Sequence, residues 1–497
     1  MIRKLRRIAD ILFPAGTQLR RVVRRIFKSW LLTPRGPRVA MSMRLSGLMA
    51  SCRQIKQKVG SIFRSVPGKL SSARVINDTG GLQVNSRTAQ DASISIAIPV
   101  KNAGHDFRLL LSLLKAQKGF KKLEIVIVDS GSSDRSVGTA EEFGAKVIKI
   151  LPQEFSHSYA RNLAAEHATG DYILFTVQDA LPPSDVWLYE LFSALKNKNV
   201  AAVSCAEYPR ENADLFYRAC CWGHYRFLEV DGRDRILSKP DTENYFTLRK
   251  NGALSDLACL IPRDLFLKYG FRGNFAEDLD LGMRLIKNGF KLAFLSSTKI
   301  IHSHNRPAYY HLKRGYVDAL LLSELFPDFP ILAIEPGRLL RDIPIVHRVM
   351  HSIVHEQLKQ IAVPSSIADI SSKVIDLYRG FPEASPPSTS VVARNGYVDV
   401  EFSAFVESLY DHHSLRWNSG YDGILLGAMQ GVTKMILDYM DNAYEMIDDT
   451  VLEELESCLY KAFALQSGFQ LGSCYFKGSA GTKKQLEKIN RELTEGI

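Results

Sequence analysis

From residue 93 onward, short apolar runs of strand length alternate with segments whose apolar residues recur every three or four positions. That pattern predicts strands at 94–99, 123–129, 146–150, 172–178, 200–205, 256–261 and 291–301. It predicts helices near 106–117, 134–143, 157–168, 184–197, 262–269, 279–288 and 308–325. Strand and helix alternating at this spacing build βαβ units, so residues 93–330 are expected to form an α/β domain with a mostly parallel sheet flanked by helices. Past Pro330 the strand pattern stops. Val346, Val349, Met350, Ile353, Val354, Leu358 and Ile361 follow a helical period, as do Ile424, Leu425, Ala428, Met429, Val432, Met435, Ile436, Tyr439 and Met440. Residues 331–497 therefore read as an α-helical accessory domain, with a flexible Pro- and Ser-rich connection near 382–392. No internal repeat is visible.

The beginning of the chain has a different texture. Leu19, Val22, Val23, Ile26, Phe27 and Trp30 line one face of a helical period, while Arg20, Arg21, Arg24, Arg25 and Lys28 occupy the other. Residues 1–74 hold 18 of the 64 Lys and Arg and only one acid, Asp10. The formal charge of +11 thus belongs to a basic, helical N-terminal arm, and the rest of the chain is mildly acidic. A polar, turn-rich linker at 75–92 follows. Such an arm suits an anionic lipid interface, where each Lys or Arg contributes about 1 kcal/mol of attraction. A basic face packed on the protein's own body is the next reading. With 46% hydrophobic residues and no uncharged apolar stretch approaching a membrane span, contact with a membrane is expected to be peripheral. The seven cysteines are odd in number and lack a CxxC, which points to a reducing compartment and against zinc. A cytoplasmic setting with peripheral contact at a membrane surface is the expectation, with no nucleic-acid partner.

Ligands of open α/β sheets bind beyond the carboxyl ends of the strands. Four such places are polar here: Pro99-Val100-Lys101-Asn102-Ala103-Gly104, Val128-Asp129-Ser130-Gly131-Ser132-Ser133-Asp134, Val177-Gln178-Asp179-Ala180, and the helix opening Glu277-Asp278-Leu279-Asp280. Neither GxGxxG nor GxxxxGK[ST] follows the first strand, which disfavours a dinucleotide fold and a P-loop.

In this order, IAIPVKN, IVIVDSGSSD, Arg161-Asn162, the carboxylate Asp179, the pair Glu277-Asp278 and a His after the last strand resemble the family-2 glycosyltransferases over roughly residues 93–325. The resemblance implies the nucleotide-sugar-binding A fold (GT-A). It implies that Pro99, Val100, Asn102, Asp129 and Ser130 contact the donor nucleotide, and that Asp179, with His302 or His304, binds Mg2+ or Mn2+. Asp278, with Glu277 beside it, would supply the catalytic base of a single, inverting displacement. One departure stands out: the first Asp of the family's Asp-x-Asp motif is Val177. A narrower likeness, in Phe155-Ser-His-Ser-Tyr-Ala-Arg-Asn162, Gln178-Asp-Ala-Leu-Pro182 and His302-Ser-His-Asn305, is to the bacterial rhamnosyltransferase branch. It implies that His157, Arg161, Asn162 and Gln178 lie at the donor, with Arg161 near its diphosphate. The implied activity is metal-dependent transfer of rhamnose from dTDP-rhamnose to a growing bacterial surface glycan or a lipid-linked acceptor. The alternative is a non-catalytic scaffold that kept the fold. Residues 331–497 are expected to contact a second copy or a partner enzyme.

Overall fold

The structure, a computed structural model, describes residues 91–330 and then 335–352, 365–380, 399–411, 423–444 and 446–495, with isolated positions between 358 and 363. The predicted arm, nearly all of the linker and the connection near 382–392 lie outside the described residues.

The elements of the first part run β1 (Ser93–Val100), α1 (Phe107–Lys115), β2 (Lys122–Asp129), α2 (Ser136–Glu142), β3 (Lys146–Lys149), α3 (His157–Glu166), β4 (Tyr172–Phe175), α4 (Trp187–Asn197), β5 (Ala202–Tyr208), α5 (Leu215–Phe227), β6 (Arg235–Leu237), α6 (Tyr245–Asn251), β7 (Cys259–Pro262), α7 (Arg263–Tyr269), α8 (Glu277–Lys287), β8 (Leu292–Ile301) and α9 (Ala308–Leu325). One eight-stranded sheet has the order β3-β2-β1-β4-β7-β5-β8-β6. The pairs β1–β2, β1–β4, β2–β3 and β5–β8 are parallel; β7 is antiparallel to both neighbours, and β6 to β8. The mostly parallel sheet flanked by helices is therefore present. Central β1 shows why its sequence is nearly all apolar: Ile94, Ile96, Ala97 and Ile98 are fully buried, as in a strand covered on both faces.

Three departures from the predicted elements place the site. Strand β4 ends at Phe175 rather than 178, so Val177, Gln178 and Asp179 lie on a turn beyond it. Leu181 in that turn bridges to Ile301 at the end of β8, which draws Asp179 to His302. Strand β5 runs to Tyr208, and its register on β8 jumps from Cys205–Leu295 to Ala206–Lys299, a bulge that carries the end of β8 past the sheet.

The C-terminal part forms α10 (Pro336–Ser352), α11 (Ile367–Gly380), α12 (Val400–Asp411), α13 (Gly423–Ala443), α14 (Asp449–Lys477), α15 (Ala480–Gln485) and α16 (Glu487–Thr494). It is helical as expected, but position 330 is not a packing boundary. One hydrophobic core joins Leu215, Phe216 and Ala219 of α5 and Leu312 and Tyr316 of α9 to Phe402, Met429, Leu459 and Phe463. Helices α9 and α14 touch at backbone distance: a Cβ on Gly468 would lie 1.9 Å from the Leu312 carbonyl oxygen, and one on Gly315 2.2 Å from that of Leu465. Gly468→Ala should therefore destabilise the fold by about 1–3 kcal/mol through overpacking, against a gain of about 1 kcal/mol in helix propensity. Gly427→Ala, with nothing within 4 Å of the new methyl, is the matched control and should be neutral or stabilising in thermal denaturation.

Candidate functional site

At the carboxyl end of β1 the chain turns through Asn102, whose φ of 48° lies in the left-handed region that Asn tolerates better than most residues. Its Oδ1 accepts from the Ser133 N–H at 2.8 Å, and its own N–H donates to Ser132 Oγ at 2.8 Å. Asn102 thus joins the β1 loop to the β2 loop. Asp129 at the end of β2 is 3% exposed; its Oδ2 accepts from the backbone N–H groups of Gly131 and Ser132, each at 3.1 Å. Its Oδ1 is buried and has no hydrogen-bond partner. An unsatisfied buried acceptor costs about 1–3 kcal/mol, a cost that an N–H or O–H of a bound nucleoside would relieve. Val100 is buried and Pro99 partly so. Ser130 is buried, and its N–H and hydroxyl both donate to the Val100 carbonyl. The Gln178 amide is clasped to Lys101, accepting from its N–H at 2.9 Å and donating to its carbonyl at 3.3 Å.

A second group surrounds Arg161. Helix α3 starts at the Ser156 cap, whose Oγ accepts from the Tyr159 N–H, and turns Arg161 inward to 1% exposure. The guanidinium donates to Glu277 Oε1 at 2.8 Å and to Asp256 Oδ2. Three of the expected site residues thus have partners within the protein. Arg161 binds carboxylates of the protein, because a buried cation requires buried anions. Glu277 is 4% exposed and paired to it. Asn162 spends its amide on the Phe271 backbone, donating to the carbonyl at 3.0 Å and accepting from the N–H at 2.9 Å.

Asp278, partly exposed at the start of α8, accepts from the Leu279 N–H at 2.7 Å and from the Asp256 N–H at 3.3 Å. Burial and the neighbouring Asp256 charge raise its proton affinity above the ordinary carboxylate range. The same two causes raise that of Glu277, with Arg161 opposing them. His157 lies over Arg161, with Nδ1 3.3 Å from its guanidinium, and burial followed by that charge lowers its pKa to about 4. It is a neutral ring at physiological pH.

The third group gathers Asp179, His302 and His304. His304 Nε2 lies 3.2 Å from Asp179 Oδ2, His302 Nε2 lies 3.7 Å from Asp179 Oδ1, and the two Nε2 atoms are 3.1 Å apart. Ligands bonded at about 2.1 Å and at right angles stand about 3 Å apart, so this spacing fits one divalent ion. Two imidazoles with one carboxylate favour Mn2+ over Mg2+. Both histidines stand beside Asp179. His302 Nδ1 faces Glu207 Oε2 at 3.1 Å and the Tyr217 hydroxyl at 3.0 Å. Burial and the Glu207 carboxylate push the Tyr217 phenol well above its ordinary range. Arg210 braces the group by donating to the Asp179 carbonyl and to Asp106 Oδ2, each at 2.6 Å. Asp106, Asp179, Arg210, Asn212, His304 and Asn305 line an open cleft of about 460 Å³.

Sequence reasoning missed Asp256, Glu207, Tyr217 and Arg210. Asp256 opens an otherwise apolar run, Leu257 to Pro262, and Glu207 follows the run ending at Ala206, but neither position marks a site residue until the strand directions and ends are known. No pattern in the sequence marks Tyr217.

Residues 95–254 match the sequence model of Glycosyl transferase family 2. The chain is 31% identical to the O-antigen chain rhamnosyltransferase WbaN of Salmonella anatum, over 37% of this chain and 57% of that protein. It is 27% identical to the O-antigen chain rhamnosyltransferase RfbN of Salmonella typhimurium, over 43% of this chain and 67% of the relative. Among solved structures, S. aureus TarS 1-349 in complex with UDP overlays at a TM-score of 0.35 with 14% identity, over 70% of this chain and 89% of that one.

Proposed function

We propose that the chain, whose residues 95–254 match the model of Glycosyl transferase family 2, is an inverting, metal-dependent glycosyltransferase using a nucleotide-sugar donor. The observation that carries this is the convergence of Asp179, His302 and His304, whose ligand atoms lie within 4.8 Å of one another beyond the ends of β4 and β8. Those three residues would hold Mn2+ or Mg2+, which when bound offsets the charge of the departing nucleoside diphosphate. The Oδ1 of Asp129 accepts a hydrogen bond from the nucleoside. Asp278 takes the proton of the acceptor hydroxyl as its oxygen bonds to the anomeric carbon; the bond from that carbon to the diphosphate oxygen breaks on the opposite face, and one displacement inverts the configuration. Asp256 and Arg161 hold Asp278 and Glu277 in place for that step.

The relatives named as O-antigen rhamnosyltransferases support dTDP-rhamnose as donor and a growing surface glycan or lipid-linked glycan as acceptor. The basic arm at 1–74 supports a position at the inner surface of the plasma membrane, and among the described residues no helix is long and apolar enough to cross one. The test is calorimetry with dTDP, UDP and GDP, each with and without Mn2+. Metal-dependent binding of dTDP is expected, at least about ten-fold weaker in Asp179→Ala, since one of three ligands is lost. Binding of no nucleotide at millimolar concentration would leave the scaffold reading in its place.

A further inference from the structure

We infer that Glu207 and Tyr217 are positioning residues for His302, holding its ring so that Nε2 is the free, metal-facing nitrogen; this rests on the reading of Asp179, His302 and His304 as a metal site. The argument is one of donors and acceptors. The Tyr217 hydroxyl donates to Glu207 Oε2 at 2.9 Å, and His302 Nδ1 stands 3.1 Å from the same oxygen. An ionised carboxylate only accepts, and a neutral imidazole has one N–H, so that N–H is on Nδ1. The Nε2 lone pair is left pointing toward His304 Nε2 at 3.1 Å and Asp179 Oδ1 at 3.7 Å. A carboxylate on the far nitrogen of a ligating histidine fixes its tautomer and raises its basicity.

Both partners are built into rigid parts of the molecule. Glu207 belongs to β5, and its N–H donates to the Tyr225 hydroxyl at 2.9 Å. The His302 N–H donates to the Tyr208 carbonyl at 3.0 Å, so the backbones of the two strand ends are tied as well. Tyr217 rides on α5, which the C-terminal helices grip from the other side. Lys461 donates to Asp214 Oδ2 at 2.7 Å, Arg218 to the Tyr444 hydroxyl at 2.9 Å and to Glu454, and the Trp222 and Tyr439 rings meet edge to face at 5.9 Å. The packing of α14 and α13 on α5 thus reaches the metal ligand through one phenol and one carboxylate. None of these groups touches the open cleft, whose lining includes neither Glu207 nor Tyr217. Both meet the site at His302 Nδ1.

The test uses the full chain without nucleotide. Mn2+ affinity is measured by electron paramagnetic resonance of the free ion, and the His302 tautomer by nitrogen-15 NMR, in wild type, Glu207→Gln and Tyr217→Phe. Glu207→Gln should weaken Mn2+ binding by about 10–100-fold and shift the ring from a single Nδ1–H tautomer to a mixture. Tyr217→Phe should act in the same direction and by less. Because both act on one oxygen, the double variant should lose less than the two single losses combined. Unchanged affinity together with an unchanged tautomer would overturn the inference even if wild type binds Mn2+. If wild type binds no Mn2+, it is the metal reading that fails, and the tautomer alone then decides whether Glu207 sets the ring. Should Glu207→Gln not fold, Tyr217→Phe carries the same two measurements.

Discussion

Asp278→Asn should lower turnover by about 10²–10⁴-fold, the range for loss of a general base, while nucleotide binding stays near that of wild type. Asn keeps the size of the side chain and an oxygen for the Leu279 N–H, now donated at 2.7 Å, so the loss isolates the proton-accepting function. The pH profile provides the sharper check. A general base acts only when ionised, and burial together with Asp256 raises the proton affinity of Asp278. The acid limb of kcat/KM should therefore lie above the ordinary carboxylate value of about 4, with activity rising as pH rises through it. Asp256→Asn removes the second cause and should move that limb to lower pH. An Asp278→Asn enzyme that retains most of its turnover, or a limb that Asp256→Asn leaves in place, would assign the base elsewhere.

Much of this site was readable because its groups follow strands or open helices with strong local signatures. Asp129 follows the apolar run Ile125 to Val128, Asp278 opens an amphipathic helix, and His302 and His304 follow the long final strand. What escaped depended on topology. Asp256 lies at the carboxyl edge of the parallel strands because β7 runs antiparallel to β4, so the beginning of β7 is at the edge where β4 ends. A pattern of apolar runs gives no strand direction, and read as parallel this residue belongs at the opposite edge. Glu207 was lost to a strand boundary: the predicted strand stops at 205, while the bulged pairing with β8 carries β5 to Tyr208. Tyr217 sits on a helix that the predicted elements omitted altogether, since α5 mixes Arg218, His224 and Arg226 among its apolar positions. Its amphipathic logic appears only with the C-terminal helices in place, because they supply the partners for its polar face. The same blindness explains Arg161 and Asn162. A local motif marks them as special, yet their partners lie 95 to 116 residues away, at Asp256, Phe271 and Glu277.

Arg161→Met is expected to be the most damaging single change to the fold, at about 3–5 kcal/mol, the cost of breaking a buried pair by removing one partner. The guanidinium is 1% exposed and joins Glu277 and Asp256 from two nitrogens, so its loss leaves Glu277 buried without a cation. Arg161→Lys should recover only part of the stability, because one ammonium on a flexible stem cannot reproduce a planar fork. The pH dependence distinguishes this electrostatic cost from simple loss of packing. Glu277 and Asp278 hold protons more tightly in the folded chain than the ordinary carboxylate does, through burial and the nearby Asp256. Such groups stabilise the folded state fully only below the unfolded value, and that contribution is lost as pH rises through the folded one. Removing Arg161 takes away the influence that opposes the shift for both, so the loss steepens and extends to higher pH. The gap in melting temperature between wild type and Arg161→Met should accordingly be small near about pH 6 and widen as pH rises through about 8. A gap that stays constant across that range would mean that the guanidinium contributes by filling space, and that the carboxylates around it are not held by its charge.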